Sequence, residues 1–206
     1  MAKHKLPDVN AGSMADIAFL FYLSFFLVTT TIEQDNGIFR KIPEDNQQHT
    51  APIHKRNILD ISINEANKVL VEDNIESLDD LTQLIIDFID NGGIINKQDQ
   101  WYCNYCSRNH NAASSDHPKK AMVSIQTHRK SKYKTYVAVQ DKIASAYAQL
   151  RNELSAKNYG FEFTTVKQAL NKGSYEGNIE KATNAVREIQ EMYPLHIAEV
   201  QIQKYD

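Results

Sequence analysis

Hydrophobic residues are spread unevenly along the chain. Ile17 to Ile32 reads IAFLFYLSFFLVTTTI without a charge. Sixteen helical residues rise roughly 24 Å, short of a hydrocarbon core about 30 Å thick. Carrying the helix back through Ala15 and Met14 to Ala11 gives roughly 33 Å, enough to cross. The pattern predicts a membrane helix over residues 11–32 with Asp16 inside it, Asn10 or Ser13 as its cap and Pro7 just before it. A cleaved signal peptide is the competing reading, since Lys3 and Lys5 resemble its basic start. The aspartate at the head of the apolar run argues against it. So does the ending Val28-Thr29-Thr30-Thr31, which is no small-residue cleavage site.

Residues 1–10 form a short tail, and residues 33–56, with Gly37, Pro43 and Pro52 among many polar groups, read as a linker. Residues 57–206 carry the periodicities of a folded domain. Asn57–Ile63 alternates Ile58, Asp60 and Ser62 against Leu59, Ile61 and Ile63, as a half-buried strand does. Lys68–Glu72 predicts a second strand after a polar turn. Ser77 is a good N-cap, with Asp79 and Asp80 in the first turn of a helix. Leu78, Leu81, Ile85 and Phe88 follow at helical spacing, and Asn91-Gly92-Gly93 stops it. Residues 96–120 are polar and irregular. Ala121–Thr127 is a third strand. Lys134 to Lys157 is a helix with Val137, Ile143, Tyr147, Leu150 and Leu154 on one stripe, ended by Gly160. Ile179–Met192 is another, ending before Pro194, and Leu195–Gln203 returns to alternation. The order β-β-α-β-α-(α)-β predicts an α+β chain: one N-terminal transmembrane helix, then a small α/β sandwich with helices on one face of the sheet.

A formal charge of −3 with no basic stripe gives no reason to expect nucleic acid. The mean hydropathy of −0.51 confines any membrane contact to one segment. There is no Gly-rich phosphate loop, no G-x-S-x-G and no carboxylate pair in a pocket context, so nothing points to an enzyme. The charge count around the predicted span is a tie, Lys3 and Lys5 against Arg40 and Lys41, and composition only leans toward a cytoplasmic N-terminus.

Asp16 is the strongest chemical signal. A carboxylate inside a membrane span is expensive and marks a functional site by default. Hydrocarbon favours the neutral form of such a group, which suits it to taking up and releasing protons. The bland alternative is a cap at the interface. Leu20, Leu23 and Leu27 continue the Asp16 face toward Thr30 and Thr31, and Tyr22 and Ser24 add polar atoms mid-span. Polar groups at that depth need partners, so the helix is expected inside a protein bundle, with Tyr22, Thr30 and Thr31 on its polar face. Threonines near an interface also bond back to their own helix.

The stretch PDVNAGSMADIAFLFYLSFFLVTTTI, Pro7 to Ile32, resembles the N-terminal signature of the ExbD/TolR family of biopolymer transport proteins. There a short cytoplasmic tail leads into one membrane helix with a required aspartate near its cytoplasmic end. Asp16 takes that position, and Asn10, Ser13 and Met14 match the polar lead-in of longer members. RNILDISI and KVLVEDN resemble the first two strands of the family's periplasmic domain. AMVSIQTHRKSKYKTYVAVQDKIASAYAQLRNELSAKNYG resembles its strand, the loop into a tyrosine (Tyr136) and the long helix closing on Tyr159-Gly160. Two departures are the Asn96–Lys120 insertion with its cysteines and the long tail after Phe161.

The resemblance implies a single-pass protein of the bacterial inner membrane, N-terminus cytoplasmic, with residues 33–206 periplasmic. It implies a homodimer inside an ExbB-like pentameric ring, proton flow through Asp16, and movement passed to a TonB-like protein, with no cofactor. The alternative is a TolR-like membrane-anchored tether of the envelope or peptidoglycan, in which the helix only anchors. Asp16 separates the two, since a plain anchor has no use for an intramembrane acid.

Three readings are open for Cys103 and Cys106, the only cysteines. A local disulfide suits an oxidising periplasm and is preferred. A zinc site with His110 and His117 has the right donors but too long a gap between the histidines. A redox pair would open a helix after a strand, which this segment does not. The other histidines and the run Arg129-Lys130-Ser131-Lys132 read as solvated surface, with contact to an envelope polymer or an acidic partner as the weaker alternative for the run.

Overall fold

The computed structural model describes residues 11–30 and 54–200, with side chains for residues 14–26 of the first stretch. Two compact units divide the chain, Met1–Gln48 and His49–Asp206. In the first, α1 spans Ala11–Thr30. Twenty helical residues rise roughly 30 Å. The expected span reached Ile32, and residues 31 and 32 lie outside the described residues. Among those described, no helix is long and apolar enough to cross a membrane.

The second unit opens with a 3-10 turn, Lys55–Asn57, leading into β1 (Ile58–Ile63). Then come β2 (Val69–Val71), β3 (Asn74–Glu76), α2 (Leu78–Ile89), β4 (Met122–Thr127), α3 (Tyr133–Tyr159), α4 (Phe163–Asn171), α5 (Ile179–Met192) and β5 (Ile197–Val200). The five strands form one mixed sheet in the order β3-β2-β1-β4-β5. β1, β2 and β3 pair antiparallel as a meander, while β1–β4 and β4–β5 are parallel and are reached through helical crossovers.

The alternation in β1 explains the layers. Leu59, Ile61 and Ile63 are buried, and the register sets Leu59 beside Val123 and Ile61 beside Ile125 of β4. That apolar face packs on Leu81, Ile85, Ile86 and Ile89 of α2 and on Val139, Ile143, Ala146, Tyr147 and Leu150 of α3. The opposite face carries Asp60, Ser62 and Gln126, all half-buried. An α+β arrangement with one helix-covered sheet face is therefore present.

Several expectations need correction. The second strand is only Val69–Val71 and turns into β3, which the sequence reading lacked; three residues, two of them exposed, leave no periodicity to detect. α4 was also absent from the reading. The helix expected over 134–157 runs from Tyr133 to Tyr159 and ends on Gly160 at φ 72°. Of the expected alternation over 195–203, Ile197–Val200 is strand, and residues 201–203 lie outside the described residues. Of the expected linker over 33–56, residues 33–53 lie outside them too.

Candidate functional site

Asp16 stands on α1 beyond the first turn, which holds no acidic residue. A cap acts on the unpaired N–H groups of the first turn, so Asp16 does not have a cap's position. Its side chain is exposed in the isolated chain, as are those of every residue from Met14 to Phe26. Phe21 is 76 % exposed and Tyr22 68 %. The helix thus presents apolar surface on all sides around one carboxylate.

Leu20 and Leu23, four and seven residues on, share the face of Asp16. Tyr22 does not. It lies along a shallow groove with Met14, Ile17, Ala18, Phe21 and Phe25, about a third of a turn away from Asp16. The side chain of Thr30, and all of Thr31, lie outside the described residues.

The insertion joins α2 to β4 without a helix or strand of its own, yet Ser115, Asp116 and His117 within it are buried, which the sequence did not suggest. Asp116 is 2 % exposed. Its carboxylate accepts from Asn57 Nδ2 at 3.0 Å and pairs with Arg56 at 2.7 Å, while its own N–H donates to Asn57 Oδ1 at 2.8 Å. Asn91 Nδ2 donates to Asn111 O and Ser115 O, both at 2.8 Å. The insertion folds tightly onto the exit from α2. A Cβ at Gly92 would sit 2.9 Å from Cys106 Cβ, and one at Gly93 2.7 Å from Asn111 O, so glycine alone allows the approach.

Asp90, the C-cap of α2, is the hub of this corner and is 1 % exposed. Tyr193 Oη donates to Oδ1 at 2.6 Å, Ser107 N and Oγ donate to Oδ2 at 3.1 and 3.0 Å, and Arg108 Nε lies 3.6 Å from Oδ2. Burial first, and the Asp90 charge second, push the Tyr193 and Tyr105 hydroxyls well above the ordinary tyrosine range, so both are donors.

Cys103 and Cys106 are joined as a disulfide, S–S 1.96 Å. Their sulfurs are bonded to each other, and His110 and His117 do not converge on them as a ligand set. His110 Nδ1 donates to Gly92 O at 2.9 Å. His117 Nδ1 accepts from Lys119 N at 3.1 Å, and its ring meets Trp101 and Tyr105 edge-on. Burial, with Lys119 and Lys120 nearby, lowers its pKa to about 4. Among the described residues no group of three or more His, Cys, Asp or Glu is placed to hold a metal ion.

Tyr136 sits near the start of α3, where its hydroxyl donates to Glu199 of β5 and accepts from Gln140 Nε2 at 3.1 Å. Tyr133 stacks on it at 5.9 Å. With Arg129 and Ser131 they border a cavity of ≈ 350 Å³ at the C-terminal ends of β4 and β5. Arg129, Lys130 and Lys132 are exposed, as a solvated run requires. The sequence pointed to none of Asp90, Asn57, Asp116 or Tyr193 as organising residues; a charged or amide residue directly at an element boundary is a signal that marks Asp90 and Asn57, and it does not mark Asp116 or Tyr193.

A family model described as biopolymer transport protein ExbD/TolR matches residues 2–154. That range holds α1, β1 to β4, α2 and most of α3, while α4, α5 and β5 lie beyond it. No curated protein and no solved structure matches the chain.

Proposed function

Because the chain belongs to the ExbD/TolR family of biopolymer transport proteins, we propose that it is the proton-driven motor subunit of an ExbB–ExbD type complex that energises TonB-dependent outer-membrane transport. In this reading α1 crosses the inner membrane with its N-terminus in the cytoplasm, residues 33–206 are periplasmic, and two copies sit in an ExbB-like pentameric ring. The observation that carries it is Asp16, a carboxylate past the first turn of a helix whose other side chains from Met14 to Phe26 are exposed and mostly apolar.

A helix apolar all round is stable only where protein or lipid covers it. Once covered, Asp16 leaves water, where a carboxylate is expensive and marks a functional site. Meeting a polar group of the ring, it releases its proton; turned back to hydrocarbon, it takes one up. Each cycle changes the charge on one helix face by one, and that change biases the helix between two seats in the ring. The domain beyond the linker passes the movement to a TonB-like partner. No step needs a cofactor or bond-making chemistry at the domain.

The test is Asp16→Asn in cells, with assembly of the ring complex followed alongside energy-dependent uptake. The amide keeps the shape and cannot carry a proton. Assembly retained and uptake lost, by roughly a hundredfold or more as for removal of a required proton carrier, supports the motor. Normal uptake would sink it and leave a tether whose helix only anchors.

A further inference from the structure

The insertion clamps three helices at one corner, and its disulfide sits inside the clamp. Tyr105 Oη donates to Met192 O at the end of α5 at 2.8 Å, Ser107 Oγ donates to Asp90 at the end of α2 at 3.0 Å, and Arg108 pairs with Glu153 of α3 at 3.2 Å. Tyr105 lies between the bonded cysteines in sequence, and Ser107 directly follows the second. The Cys103–Cys106 bond closes the turn that aims them.

The two sulfurs are unequal. Cys103 is 2 % exposed, while Cys106 is only half-buried, flanked in the chain by exposed Ser107 and near exposed Asn104. The Cys106 N–H donates to Cys103 Sγ at 3.1 Å. Cys106 is thus the more open residue of the pair, although its sulfur lies on the side of Gly92, and the backbone already offers a donor to the sulfur that would leave. Leaving-group stabilisation of this kind favours exchange at the other sulfur.

We propose that Cys106 is a site of thiol–disulfide exchange with a dithiol reductant, and that opening the bond releases the clamp on the α5–β5 end of the domain. The reductant's thiolate attacks Cys106 Sγ and expels Cys103 as a thiolate facing the Cys106 N–H. The reductant's second thiolate then attacks its own sulfur in the mixed disulfide and expels Cys106. Two electrons pass from the dithiol, which ends as a disulfide, and the two cysteine thiolates take protons from water. Closure is the reverse, with a disulfide-form oxidant of the same class.

Opening matters because the turn 103–106 gains conformations once the sulfurs part, and Tyr105 loses its preset direction. Met192 O is then left without its tyrosine donor. Asp90 loses the fixed partner at Ser107, and Tyr193, which donates to the same carboxylate, is less firmly held. Tyr193 and Met192 lead directly into β5, whose pairing with β4 starts at Ile197. This inference does not rest on the proton reading and stands or falls separately from it.

The test uses the full chain in detergent micelles. Hydrogen exchange is followed at residues 192–200 with the bond closed and after dithiothreitol, a thiol count confirming the opening. Exchange there is expected to rise about tenfold on reduction, as a local opening becomes easier. A Cys103→Ser, Cys106→Ser double variant should match the reduced protein and ignore dithiothreitol. Tyr105→Phe, with the bond intact, should loosen the Tyr193 amide on its own. A dithiol protein stripped of its second cysteine should be trapped on Cys106, read by peptide mass. Unchanged exchange with the bond open, an inert Tyr105→Phe, or an adduct on Cys103 would each overturn the proposal.

Discussion

Asp90 is a carboxylate at 1 % exposure held by a tyrosine hydroxyl, a serine N–H and hydroxyl, and a nearby guanidinium. Removing it leaves the Tyr193 hydroxyl and Arg108 Nε buried without an acceptor, which costs on the order of 3–5 kcal/mol. Asp90→Ala should therefore show a large drop in the urea midpoint, and Tyr193→Phe a smaller one of about 1–2 kcal/mol; equal small effects would mean the hub is not structural. His117 makes the pH dependence specific. Its pKa falls from 6.5 to about 4 on folding, so between these values the unfolded chain binds more protons than the folded one. Stability is then whole above about pH 6.5 and is lost as the pH falls toward 4. His117→Gln should flatten that part of the stability–pH curve, and an unchanged slope would assign it to other groups. Little of this was legible. Ser77 as a cap needs only its neighbours in sequence, but the partners of Asp90 stand 17 and 103 residues away. The burial of Asp116 depends on Asn57, 59 residues earlier.

Elements were legible where their signals are local. β1 alternates cleanly because the helices cover one of its faces, and α2 and α5 carry their own caps, Ser77 accepting from Asp79 N and Asn178 from Lys181 N. α4 has Phe163 and Val166 buried but no side-chain cap of its own at Glu162. Its first-turn donor is met from α3 instead, where Asn152 Oδ1 accepts from Thr164 N at 3.0 Å. Phe163, Val166 and Leu170 stand at helical spacing, but nine residues capped by another helix lack the local start signal, and the reading passed over it. Asn152→Ala should cost about 1 kcal/mol, like the loss of an ordinary N-cap. The loss should localise: faster hydrogen exchange at Thr164 to Val166 with α2 unaffected. Ser77→Ala should give the converse pattern at the start of α2. Uniform acceleration in both variants would show that these caps hold the whole domain rather than their own helices.

At the scale of the molecule, the buried apolar residues among those described run from Leu59 to Tyr193 and include none of α1. A domain with its own contiguous core folds by itself, so residues 49–206 expressed alone should unfold cooperatively within a few degrees of the domain in the full chain. A much lower midpoint would mean that the first unit contributes to its stability. The same cut tests the division of labour that the sequence suggested by concentrating its apolar residues near one end. A motor must carry movement from a membrane helix to a periplasmic domain through the chain that joins them. Residues 1–48 and 49–206 supplied as two separate chains should each be stable and should fail together to restore uptake. Restoration by the severed pair would show that the covalent connection transmits nothing, which would sink the motor and equally a tether, since an anchor must stay joined to the domain it holds.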